Sequence, residues 1–450
     1  MNRRQFIRTS AISSLSIKPI ASSFARADSE IKSIEILNPQ GRVPVSMIID
    51  DSTALVNMAY YGIPQFAEVF PDNYKQDWRK LPREIPDSFV AEFIEWCDAH
   101  GVKGKYSMVP FPACTGWLHR FIPGWTNQEL SNSLDLVRKD VSRNWDIHPE
   151  MISHTRVIDT KTGLPFPIVS PDFMENWEWS QEKSVDELTN YISYALNVLK
   201  ESGFYCEGVT TPGGFCHKNI PNLASATMES IREVYDADVS HFFRDVITDS
   251  NKSVAPIVTA KRNIDSPNPS CSVHIIGCTA DWFGGWDGLK PGNTENFISK
   301  DLSSGRMVEV IERGEPAIMV CHWPGIYYNG DKLGFTIFKE VVNRLRQKYG
   351  AGIHWMKLSE IARYWAAKEF VSFEEMQHGI QINAPYGAEN FTIKSEIKFR
   401  KPALIHNNKT TSLKETAESD TMGQNTYVTK KGQTLLCFDL PKGKSELRNG

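Results

Sequence analysis

VSMIIDD, residues 45–51, is an apolar run that stops on two adjacent carboxylates. A short run of this kind reads as a buried strand. Charge at a buried strand's tip is costly unless something positive sits beside it. The pair Asp50-Asp51 therefore predicts a cation at the end of the first core strand. The layout recurs downstream. MISHTRVID (151–159) puts His154 and Asp159 on a strand-like run, and AIMVCH (317–322) ends another on His322. Polar groups gathered at strand ends in a long α/β chain read as one active site holding a metal.

Between these runs the periodicity switches to helical. IPDSFVAEFIEWCDAHG (85–101) spaces Phe89, Phe93 and Trp96 by three to four residues, and Gly101 stops the helix. Strands are expected near 43–50, 104–111, 151–158, 204–212, 238–243, 271–277, 316–323 and 351–356. Helices are expected near 127–143, 185–202, 221–235, 299–313, 335–348 and 358–368. Alternation of this kind predicts an α/β fold with parallel strands closed or nearly closed into a barrel. An open doubly wound sheet is the competing architecture. No glycine-rich phosphate loop follows the first strand, which argues against a dinucleotide site. The stretch Ser52–Pro86 is too long for a turn and is expected to shape a cleft or lid. From about residue 370, QINAPYG, ENFTIKSEIKF and QTLLCFDLPKG predict a small β-rich module.

A chain of 450 residues that is 41% hydrophobic can bury a large core and a smaller second one. Its net charge of -4, with acid and base mixed, argues against a nucleic-acid partner. Eight cysteines without a CxxC do not make a disulfide scaffold. Residues 1–27 are expected to be a targeting segment. MNRRQFIR, with Arg3-Arg4 and Phe6, and Ala25-Arg26-Ala27 as a small-x-small cleavage site, resemble the twin-arginine export signal of bacteria. That resemblance implies an exported, periplasmic or secreted protein. No other stretch of about 20 apolar residues is present, so no membrane span is expected.

The strand-end residues define an expected chemistry. Asp51 and His154 hold a divalent metal, Zn²⁺ being the ion that suits nitrogen and oxygen ligands together. A third ligand comes from His148 or Asp159. On a straight strand His154 and Asp159 point to opposite faces, so Asp159 requires the loop to turn back. Asp50 is the expected base that takes a proton from water, and His322 the general acid at the leaving group. Arg156 is a candidate for orienting a substrate oxygen. Thr211, in GVTTPGGFCH (208–217), stands where backbone N–H groups could bind an oxyanion. Trp282 and Trp286 in DWFGGWDG (281–288), with Trp323 and Tyr327 in HWPGIYYNG (322–330), are candidates for a sugar-binding wall. Trp117 and Trp125 are secondary candidates.

Residues 40–365 resemble the polysaccharide deacetylase superfamily, whose members have a distorted (β/α)7–8 barrel. IIDDS matches the opening strand, with Asp50 as base and Asp51 as ligand. His154-Thr155 match the start of the family's H-S/T-x-x-H motif, but Ile158 stands where its second histidine is expected. Thr210-Thr211-Pro212 only echo the Arg-x-Pro motif, without its arginine. His322 matches the late histidine that serves as catalytic acid. The resemblance implies a metal-dependent hydrolase that removes acetyl groups from a polysaccharide or oligosaccharide. Two other readings stay open. One is a glycoside hydrolase or polysaccharide lyase using Asp50, Asp159 or Asp281. The other is a non-catalytic carbohydrate-binding protein. The expected organisation is an export signal over 1–27, a catalytic barrel over 28–369 and a β-rich domain over 370–450.

Overall fold

The structure is a computed structural model and describes residues 34–417 and 422–449. The export signal expected over 1–27 lies outside the described residues.

The parallel strands are β1 (Val43–Asp50), β2 (Gly104–Ser107), β3 (Trp145–His148), β4 (Gly208–Thr210), β5 (Val239–Val246), β6 (Ser270–Gly277), β7 (Ala317–His322) and β8 (Ile353–Trp355). β1 is buried from Pro44 to its end. It pairs with β2 and β7, and its first residues pair with β8. β3 extends this sheet from β2. A second sheet holds β4, β5 and β6. The sheets meet at two seams. At one, Glu150 bridges Thr210, whose N–H donates to Pro149 O at 3.0 Å. At the other, Cys278 N–H donates to Ile318 O at 2.8 Å. A Cβ on Gly277 would lie 2.4 Å from the Val320 side chain, so glycine lets this second seam close. The ring of strands brings the C-terminal ends of β1, β3, β4, β5 and β7 to one rim.

Helices cover the outer face. Val185–Glu201 starts from a capping box, in which Ser184 accepts from Glu187 N–H and the Glu187 carboxylate reaches back. It packs against Ile220–Tyr235. Asp87–His100 ends at Gly101 in the left-handed conformation (φ 66°), as its sequence predicts. Ser52–Pro86 is not featureless. It contains the helix Met58–Val69, capped where the Asn57 side chain accepts from Ala59 N–H.

Three expectations need correction. The run 151–158 is not the third strand; that strand is Trp145–His148. Met151 (φ 50°) and His154 (φ 64°) adopt left-handed backbone that no strand accommodates. The expected helix over 299–313 is confined to Arg306–Glu312, behind a left-handed Leu302 and the positive-φ Gly305. An unexpected antiparallel strand, Ile257–Arg262, edges the second sheet beside β6.

The C-terminal region forms two largely antiparallel five-stranded sheets. The N-terminal strand Ile34–Ile36 joins one of them by pairing with Ala388–Ser395. The helix Leu358–Phe370 ties this region to the parallel core. Its Tyr364 hydroxyl donates to Leu37 O at 2.6 Å and accepts from Thr392 N–H at 3.2 Å. No helix among the described residues is long and apolar enough to cross a membrane.

Candidate metal centre and catalytic groups

The two adjacent carboxylates at the tip of β1 diverge. Asp50 ends the strand and meets Lys105 of β2, whose Nζ donates to Asp50 Oδ1 at 2.6 Å. Asp51 has left-handed backbone (φ 58°), which turns it out of the strand. Its N–H donates to Glu150 Oε2 at 2.8 Å. Its Oδ1 lies 2.7 Å from His154 Nε2, which is also 3.2 Å from Glu150 Oε1. Asp51, Glu150 and His154 are all buried, and one ligand atom from each lies within 4.8 Å of the others.

These three residues fit a divalent cation. Asp51 Oδ1 is buried and has no hydrogen-bond partner, although His154 Nε2 is close by. The atoms thus crowd one point without being aligned on each other as donor and acceptor. Zinc–nitrogen and zinc–oxygen bonds of about 2.0–2.2 Å place tetrahedral ligand atoms roughly 3.3 Å apart. The observed 2.7 and 3.2 Å need only small adjustment. The charge count agrees. Asp50, Asp51, Glu150 and Asp281 carry four negative charges against Lys105 and a charged His322, so with His154 neutral two negative charges remain for an ion to balance. Without an ion, burial works against a charge on His154, yet the charges of Asp51 and Glu150 hold its pKa well above the ordinary value. Burial likewise opposes the Glu150 charge, but His154 and Lys105 pull that carboxyl down to about 2.

A buried glutamate shapes the His154 loop. Glu175 accepts from the N–H groups of Ile152 and Ser153 at 3.1 Å and of His154 at 2.6 Å. The Tyr191 hydroxyl donates to the same carboxylate at 2.5 Å. These bonds satisfy a stretch of backbone that left the sheet.

Two groups suited to proton transfer stand beside the cluster. His322 ends β7 as the register partner of Asp50. Its Nδ1 lies 2.9 Å from Asp281 Oδ2, which also accepts from the His322 N–H at 3.2 Å. Burial opposes charge on His322, but the Asp281 hydrogen bond and the nearby carboxylates raise its pKa. The side chain keeps 28% exposure, so solvent moderates that shift. Burial pushes Asp50 up to about 6, while Lys105 acts in the opposite sense.

Aromatic rings line the approach. Phe66 lies 6.4 Å from His154, 5.2 Å from Tyr74, 5.5 Å from Trp177 and 6.0 Å from Trp286, between ring centroids. Tyr74, Trp177 and Trp286 are half-buried. They come from separate segments, and Gln76 Nε2 donates to Asp287 Oδ2 at 3.2 Å, tying two of these segments together.

Asp50, Asp51, His154 and His322 converge at one rim; other expected site residues do not. His148 is not beside Asp51. Its Nε2 is hydrogen-bonded to His241 Nε2 at 2.9 Å inside the barrel, with Asp146 4.0 Å from His241. A Cβ on Gly208 would lie 2.5 and 2.6 Å from those two nitrogens, so glycine makes room for the pair. Asp159 lies in a short hairpin and caps its own turn, accepting from Lys161 N–H at 3.0 Å. Arg156 pins a loop by donating to Phe166 O at 2.9 Å and Ile168 O at 3.1 Å. Thr211 ties its turn to Phe243 O at 3.2 Å. Trp323 is fully buried against Phe89, Phe93 and Tyr106. Tyr327 packs on Phe89 and Trp282 on Phe297. Of the four expected wall residues, Trp286 alone reaches the aromatic group near His154.

Glu150 and Lys105 escaped the sequence reading. A signal was present for both, since each is a charged residue at the edge of an apolar run, the same anomaly that singled out Asp50 and Asp51.

No protein-family model matches the chain, and no curated protein matches its sequence. Distant matches occur among solved structures. A protein assigned as a polysaccharide deacetylase from Mycobacterium smegmatis is 10% identical, with 76% of this chain and 96% of that chain covered and a TM-score of 0.42. A protein assigned as a glycoside hydrolase/deacetylase from Parabacteroides distasonis is 12% identical, with coverage of 79% and 85% and a TM-score of 0.39. One assigned as a polysaccharide deacetylase from Pseudomonas aeruginosa is 12% identical, with coverage of 61% and 72% and a TM-score of 0.35. Similarity at this level says nothing about the reaction.

Proposed function

We propose that this chain is a metal-dependent hydrolase that removes acetyl groups from a polysaccharide or oligosaccharide. The observation that carries the reading is the convergence of Asp51, Glu150 and His154 beside Asp50 and His322. Asp51, Glu150 and His154 would hold the ion, with Zn²⁺ the first choice for one nitrogen and two oxygen donors. A divalent cation in such a site polarises a carbonyl and lowers the pKa of water. Asp50 takes a proton from the attacking water, a role suited to a carboxyl pushed up to about 6. His322 gives a proton from Nε2 to the leaving oxygen or nitrogen, while Asp281 holds its Nδ1.

The carbohydrate part of the reading is supported by the aromatic approach and by the sequence resemblance. Trp286, Tyr74 and Trp177 offer apolar surface to the C–H face of a sugar ring. We place the catalytic unit in a distorted barrel lying within residues 28–369, with 370–450 as an attached β-rich module that the strand Ile34–Ile36 extends. Export to the periplasm or medium rests on the twin-arginine-like N-terminus.

The test is acetate release from acetylated xylo- and chito-oligosaccharides. Release should stop on chelation and return with Zn²⁺. New reducing ends without acetate would favour glycosidic cleavage and contradict the proposal.

A further inference from the structure

Lys105 sits in the middle of the rim chemistry and has no exposed surface. A lysine is almost never buried without partners. Here Nζ donates to Asp50 Oδ1 at 2.6 Å, Ser107 Oγ at 2.6 Å and Ile49 O at 3.0 Å. All three of its donors are used, and one of them is committed to a carboxylate.

That commitment bears on a problem the adjacent aspartates pose. Asp50 and Asp51 are chemically identical and consecutive, and both stand at the tip of β1. Either is a competent ligand for a hard or borderline cation. If both bound the ion, no free carboxylate would remain as base. The backbone does part of the sorting, because φ 58° at Asp51 turns it toward His154 and Glu150. The side chain of Asp50 still needs something to hold it back.

We infer that Lys105 sorts the two carboxylates: by binding Asp50 it keeps that group out of the metal's coordination and leaves Asp51 to bind the ion. Lys105 is thus a positioning residue that acts through Asp50. The inference rests on the metal-site reading above and adds to it the residue of this chain that keeps the two aspartates apart. Arginine at this place supplies the same charge and donors, whereas methionine keeps bulk and loses both.

The test uses Co²⁺ as the probe and the visible spectrum as the readout, which needs no substrate. In the wild-type chain, Asp50→Asn should leave the cobalt bands where they are. Lys105→Met should shift them and lower their intensity as Asp50 joins the ion and coordination expands. The double variant Lys105→Met/Asp50→Asn should return to the wild-type bands, and Lys105→Arg should never leave them. Circular dichroism checks folding, and Lys105→Gln is read the same way if the methionine variant does not fold. Unchanged bands in the Lys105 variants, or altered bands in Asp50→Asn alone, would overturn the inference. Absence of cobalt bands in the wild type would instead sink the metal-site reading, and this inference with it.

Discussion

His322 and Asp50 are register partners on adjacent parallel strands, so two titratable groups stand side by side at one rim. Neighbouring strands lie about 4.8 Å apart, which sets the spacing of their backbones without help from loops. Their partners differ in sign. Asp281, at 2.9 Å, favours the charged imidazolium of His322. Lys105, at 2.6 Å, favours the carboxylate of Asp50 over the neutral form that burial promotes. Environments that push two titratable groups toward opposite protonation roles are what an acid–base pair requires.

The third metal ligand separates Glu150 from the alternatives read in the sequence. Glu150→Gln should weaken Zn²⁺ binding by more than about 10-fold, whereas Asp159→Asn should leave it unchanged. Isothermal titration of the two metal-free variants decides this. Equal affinities would remove Glu150 from the site.

Asp281→Asn should act through His322. The Asp281 hydrogen bond raises the His322 pKa, so its loss lowers that pKa. The acid form of His322 would then be lost at lower pH, and the alkaline limb of the pH–rate profile should move down. Turnover at its optimum should fall by roughly 10²-fold. An alkaline limb that stays in place would show that His322 is not the acid.

The buried His148–His241 pair should make the fold acid-sensitive. Burial lowers both pKa values, His241 to about 3. Between the unfolded value near 6.5 and that folded value, the unfolded chain binds the proton and the folded chain does not. The stability from this pair is therefore complete above about pH 6.5 and declines as pH falls, by about 1.4 kcal/mol per pH unit for each histidine. Urea unfolding at pH 7, 6 and 5 should show a smaller decline for His241→Gln than for the wild type. Parallel declines would assign the acid sensitivity elsewhere.

Two tryptophans expected to play one role should behave oppositely. Trp323→Ala removes a fully buried ring and should cost about 3–5 kcal/mol of stability. Trp286→Ala should leave the melting temperature nearly unchanged and raise KM roughly 2–10-fold on acetylated oligosaccharides. A KM unaffected by Trp286→Ala would remove that ring from the substrate path.

The parallel framework was legible because β1 and β7 are apolar runs with polar tips, and burial makes such tips conspicuous. The proposed metal ligands were legible only in part. Nothing in MISHTRVI announces that His154 carries φ 64°, since left-handed backbone is usually signalled by glycine or asparagine. Reading that run as a strand sent the expected third ligand to His148 or Asp159, on either side of it, and Glu150, just before the run, was passed over. Lys105 lay in GKYS, where the cost of a buried charge applied equally. The aromatic loops were illegible for another reason. DWFGGWDG and HWPGIYYNG are both rich in aromatic residues and glycine, and only packing sends Trp323 inward and leaves Trp286 beside Phe66.

Anomalous diffraction at the zinc edge, from crystals grown with Zn²⁺, tests the central claim most directly. One ion per chain is expected, bound by His154 Nε2 and by carboxylate oxygens of Asp51 and Glu150, with Asp50 still on Lys105. No anomalous peak there, or an ion held instead by His148 and His241, would contradict it.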